Sequence, residues 1–127
     1  MDRILLVAAG GAVGAVARYG LGLQAARLLG TAWPYGTLAV NLIGGVLMGL
    51  LSGWLSQKQG GDPERVRLLL GVGILGGFTT FSAFSLETAS MIERRELGSA
   101  LAYALVSVIL SVVAVFAGLA LARRGIA

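Results

Sequence analysis

A helix needs about 20 predominantly apolar residues to cross the hydrocarbon core of a bilayer. This sequence offers four such stretches, from about residue 4 to 29, 33 to 55, 66 to 92 and 98 to 122. The connectors are only a few residues long, so residues 1–127 are expected to form one four-span membrane domain with nothing extramembrane of its own. Met1-Asp2-Arg3 ahead of an apolar run resembles a signal peptide. That run continues past Gly22 with no clear cleavage site, so it reads as a span.

Composition agrees. Hydrophobic residues make up 57% of the chain and charged ones 13%, proportions that suit a membrane protein and not a soluble domain. Cysteine and histidine are absent, which removes disulfides, thiol chemistry and the usual transition-metal ligands. No nucleophile and base pair can be assembled from what remains, and no Walker loop is present, so an enzyme is not expected. The net charge of +4 comes from basic residues that flank the apolar stretches. They read as membrane-edge anchors, and no nucleic-acid partner is expected.

The most informative stretch is Gly71 to Glu87, GVGILGGFTTFSAFSLE. A span facing only lipid has no use for a Gly-Gly pair, two threonines and two serines at its centre. An unpartnered backbone polar group in hydrocarbon costs several kcal/mol, so a break at Gly76 and Gly77 is tolerable only inside protein or beside a wet cavity. Such breaks free carbonyls for cations and N–H groups for anions. Alone, a Gly-Gly pair more often reflects close helix packing. Here it is followed by Phe81 and Phe84, three apart on one helix face, with Ser82 and Ser85 on the next. Phe78 lies outside that register and reads as packing.

The other spans carry matching signals. Gly10 and Gly14 give the first a GxxxG spacing for close helix approach, and Arg18 lies well inside it. An arginine at that depth costs at least a few kcal/mol unless it snorkels to the interface or faces protein or water. If it faces water, it would draw in anions. Trp33 and Tyr35 open the second span as interfacial aromatics, with Pro34 in its first turn. Thr37 and Asn41 follow on one face; Asn41 could simply hydrogen-bond a neighbouring helix. Gly45, Gly49 and Gly53 form a smooth seam that reads as packing. The fourth span carries Tyr103, Ser107 and Ser111 at intervals of four. One serine would usually bond back to its own helix; three residues in register imply a lining.

With four spans the termini share one side of the membrane. That side collects six basic residues, Arg3, Lys58, Arg65, Arg67, Arg123 and Arg124, against Arg27, Arg94 and Arg95 opposite, plus Arg18 if it points there. So weak a bias would let the chain insert both ways. An antiparallel homodimer could follow, with equivalent residues of two copies meeting near its axis.

These residues together resemble the Fluc/CrcB fluoride channels, small four-span proteins that assemble as dual-topology antiparallel homodimers. The likeness covers essentially the whole chain through GGAVGAVARY (Gly10 to Tyr19), GTLAVNLIGG (Gly36 to Gly45), GGFTTFSAFSLE (Gly76 to Glu87) and the Tyr103, Ser107, Ser111 stripe. The resemblance implies that Phe81 and Phe84 are the pore phenylalanines, holding the anion against their positive ring edges. It implies that Asn41 donates its amide to the ion path, and that Ser82 belongs to the same pore set. Tyr103, Ser107, Ser111, Thr80 and Glu87 would continue a polar track, and Arg18 would sit at a vestibule. Backbone carbonyls of Gly76 and Thr79 from both copies would hold a structural Na+ at the dimer centre, as hard oxygen ligands can. Ala83 stands where many relatives have threonine.

Composition and spacing reach a dimeric anion-conducting bundle; fluoride itself rests on the resemblance. The expected role is passive export of fluoride through the cytoplasmic (inner) membrane of a prokaryote, which lowers its toxicity. A small proton-coupled drug or cation exporter is the first alternative, but it needs a membrane-embedded carboxylate and only Glu87 is available. A non-transporting assembly subunit is the second, and it leaves the polar set at membrane depth unexplained.

Overall fold

The computed structural model describes residues 2–57 and 60–126; Lys58, counted above with the terminal side, lies outside them. Among the described residues four helical spans are long and apolar enough to cross a membrane, Asp2–Leu29, Tyr35–Gln57, Pro63–Glu93 and Leu97–Gly125. The chain is thus an all-helical, multi-pass membrane protein.

Local chemistry sets the span ends. The first span stops at Gly30, whose φ of +83° suits glycine and whose N–H returns to the Ala26 carbonyl at 3.0 Å. Trp33 and Pro34 precede the second helix instead of opening it: the residue before a proline is pushed from helical to extended backbone. Pro34 contributes only its carbonyl, which accepts from Leu38 N–H at 3.3 Å. The third span begins earlier than its apolar run, because Asp62 accepts from Arg65 N–H at 3.2 Å and Pro63 occupies the first turn.

Past Val66 the third span widens into π-type turns over Arg67–Leu75 and returns to α geometry at Gly76–Phe78. It is interrupted at residues 79–81 and resumes as Ser82–Glu93. A tight turn then leads to the fourth span. Arg95 adopts φ 62°, Glu96 N–H reaches the Met91 carbonyl at 2.8 Å and Arg95 N–H that of Ile92 at 2.9 Å. This is a Schellman pattern with arginine in the usual glycine place.

Two seams hold the spans together. Gly10 and Gly14 of the first are buried against the wide turns of the third. The glycines of the second pack on the fourth so closely that a Cβ at Gly49 would land on the Val115 carbonyl oxygen, and one at Gly118 on that of Val46. A small core of Tyr103, Met91 and Ala100 closes the far end, with Trp33, Leu38 and Phe84 packed around it. Trp33 is therefore more than an interfacial anchor, since its ring meets Tyr103 edge-on at 5.3 Å.

Candidate functional site

The interruption of the third span falls at Thr79 to Phe81, one turn beyond the Gly76 and Gly77 pair where the composition placed it. Both glycines remain helical, and the smallness of Gly77 serves packing: a Cβ there would come within 2.6 Å of the Gly11 carbonyl oxygen. What breaks the helix is competition for its hydrogen bonds. Thr79 makes the last of them, its N–H reaching the Leu75 carbonyl at 3.0 Å, and then turns extended with ψ 160°. In a continuous helix the Thr80 N–H would return to Gly76; instead it donates to Asn41 Oδ1 at 2.9 Å. Asn41 Nδ2 donates in turn to the Thr80 carbonyl at 3.0 Å. One amide side chain thus replaces both partners of a backbone unit.

Two further groups complete the break. Arg18 Nε donates to the Gly77 carbonyl at 3.1 Å, placing a cation at the end of the first half-helix, where the helix dipole favours positive charge. Thr80 Oγ1 accepts from Ala83 N–H at 3.1 Å and caps the second half-helix. Arg18 therefore faces protein and does not snorkel. It also lines a cavity of about 240 Å³ together with Thr37 and Thr80.

On the other side of the break lies a groove of about 390 Å³ between the second, third and fourth spans. Asn41, Thr80, Phe81, Phe84, Ser107 and Ser111 all line it. The two phenylalanine rings are 5.5 Å apart; Phe81 is 75% exposed, whereas Phe84 leans on Tyr103 at 5.1 Å. Ser107 is buried, and its Oγ has no hydrogen-bond partner among the described residues. Aromatic edges at one wall can receive a small anion without a fixed countercharge.

Glu87 and Tyr103 stand apart from this groove. Tyr103 is fully buried and its hydroxyl donates to Glu87 Oε1 at 2.9 Å, while Thr37 Oγ1 donates to Oε2, also at 2.9 Å. The carboxylate in turn lines a cavity of about 440 Å³ with Thr37, Trp33 and Tyr35. The even stripe on the fourth span thus divides between two places. Ser107 and Ser111 face the groove, and Tyr103 braces Glu87. Thr37 belongs with Glu87, a role that its four-residue spacing from Asn41 signalled only as a shared face. Ser82 is exposed, lies 3.4 Å from the Thr80 hydroxyl, and is not brought to the groove. Gly76 is exposed and Thr79 half-buried, the former with the carbonyl that Thr80 has abandoned.

Fold and site together define a small multi-pass membrane protein organised around an interrupted helix clamped by side chains of two other spans. The chain belongs to the CrcB-like family: the family model described as "CrcB-like protein, Camphor Resistance (CrcB)" matches residues 5–119. It is 64% identical over 124 residues to the "Fluoride-specific ion channel FluC" of Caulobacter sp. (strain K31), covering 98% of this chain and 97% of the relative. It is 66% identical over 124 residues to the protein of the same name from Phenylobacterium zucineum (strain HLK1), covering 98% of each. The FluC of Novosphingobium aromaticivorans is 49% identical over the full length of both chains.

Proposed function

We propose that this protein is a passive fluoride-selective channel that lets fluoride leave the cytoplasm of a prokaryotic cell across the inner membrane. The observation that carries the reading is the groove beside the break, where Phe81, Phe84, Asn41, Ser107 and Ser111 converge. The function named in relatives of this identity and coverage supports it. Fluoride would pass along the phenylalanine edges and be handed to the hydroxyls of Ser107 and Ser111. Thr80 and Asn41 would keep the broken backbone in place, and Asn41 would keep one amide hydrogen free for the ion. Arg18 would raise the local anion concentration at the cavity it lines. No coupling chemistry is required, since the anion moves down its electrochemical gradient. An exporter's exchangeable carboxylate finds no support, because both oxygens of Glu87 already accept hydrogen bonds.

Other parts of the reading concern assembly. The chain would pair with a second, antiparallel copy in the bilayer. A structural Na+ would sit on the axis between the carbonyls of Gly76 and Thr79 from both copies. The donor set fits: Gly76 has lost its helical acceptor role, Thr79 is extended, and both supply hard oxygens. Bound there, the cation would neutralise the carbonyl ends of the two broken helices.

Efflux from proteoliposomes tests the proposal. Vesicles loaded with fluoride should empty rapidly and vesicles loaded with chloride should not, and Phe81→Ala should abolish the fluoride flux. Absence of fluoride efflux from folded protein would overturn the function. Undiminished efflux in Phe81→Ala would keep the channel and remove that ring from its path.

A further inference from the structure

At the membrane face that carries the termini, a groove of about 510 Å³ runs between the first span and the start of the third. Its walls are Arg3, Ile4, Val7 and Ala8 from the first, and Glu64 and Leu68 from the third. These positions repeat one helical turn apart, so each wall is ordered along the membrane normal. Arg3 and Glu64 lie at the edge, while Val7, Ala8 and Leu68 lie about 6 Å deeper. A charged rim above an apolar slot is the polarity order of a phospholipid.

The charges at the rim decide which lipid. Asp2 pairs with Arg65 at 2.9 Å, tying the two helix starts together, and Glu64 pairs with Arg67 at 2.6 Å. Arg3 is near enough to act on Glu64 electrostatically, yet it enters no ion pair among the described residues. The group Arg3, Glu64 and Arg67 therefore keeps one uncompensated positive charge at headgroup depth. We propose that this groove is a binding site for an anionic phospholipid, with its phosphate on Arg3 and one acyl chain against Val7, Ala8 and Leu68. The site is independent of fluoride conduction.

Native mass spectrometry of the detergent-solubilised full chain, equilibrated with equal amounts of phosphatidylglycerol and phosphatidylcholine, tests it. The protein should retain phosphatidylglycerol in roughly fivefold preference, the selectivity of about one interfacial basic residue. Arg3→Gln should erase the preference, and Arg124→Gln should leave it intact. Ala8→Phe, which fills the slot and spares the charges, should lower retention of both lipids and keeps the test decisive if Arg3→Gln does not fold. Equal retention of the two lipids by the unaltered protein, or retention unchanged in Ala8→Phe, would overturn the proposal. So would displacement of phosphatidylglycerol by millimolar inorganic phosphate, which would mark an ion site with no role for the acyl chain.

Discussion

The seam between the second and fourth spans and the break in the third solve opposite problems. Along the seam the helices meet because Gly49 and Gly118 present no side chain at all. At the break almost everything is polar exchange: Asn41, Arg18 and Thr80 each take over a backbone bond that the helix gave up. The seam is thus sensitive to added volume and indifferent to chemistry. The break is sensitive to chemistry, because each group it leaves unpaired would be stranded away from water.

The contrast can be broken first at the seam. Gly49→Leu puts four carbons where the Val115 carbonyl already lies, and backbone cannot yield as a flexible side chain does. Overpacking commonly costs about 1–3 kcal/mol, and a backbone clash exceeds that, so folded protein should be largely lost. Yield and elution profile in detergent check this; a well-folded Gly49→Leu protein would show that the two helices slide apart at little cost. Asn41→Leu comes next. It keeps similar volume but orphans both the Thr80 N–H and the Thr80 carbonyl, an expected loss of about 2–6 kcal/mol at roughly 1–3 per group. Asn41→Asp keeps the acceptor and removes the donor, so its midpoint in thermal unfolding should fall between those of the parent and Asn41→Leu. Equal midpoints for all three would mean that the clamp holds nothing.

The same contrast explains what was legible in the sequence. Four spans follow from run length, and the seam follows from glycines at every fourth residue, because both are properties of one helix read along itself. The break shows in the sequence as a disturbance in Gly71 to Glu87, and the structure puts it one turn later than the glycine pair. Glycine composition marks where a helix can yield, whereas the position of Asn41 in another span decides where it does. The partners of Arg18 and Thr37 were hidden for a related reason: a backbone carbonyl at Gly77 leaves no trace in side-chain chemistry, and Glu87 is fifty residues from Thr37. Trp33 misled through its position. A tryptophan at a span end suggests the interface, and only the turn forced by Pro34 shows that its ring folds back onto Tyr103. The wide turns over Arg67–Leu75 had no sequence sign.

Ser107 belongs to neither kind of contact. It is buried like a seam residue and polar like a break residue, yet its hydroxyl serves no protein group among those described. Ser107→Ala removes one oxygen, leaves the hydrogen bonds found among the described residues in place and opens no large cavity, so the unfolding midpoint should move by no more than about 0.5 kcal/mol equivalent. If the hydroxyl is kept for a passing anion, fluoride efflux should nevertheless slow by roughly tenfold, the rate equivalent of about 1.4 kcal/mol at the barrier. Asn41→Leu should lose stability and flux together, so the ratio of the two losses separates a residue that holds the backbone from one that meets the ion. A Ser107→Ala protein that is clearly destabilised with normal flux would place this serine in the packing and leave the phenylalanine edges as the anion's main contact in the groove.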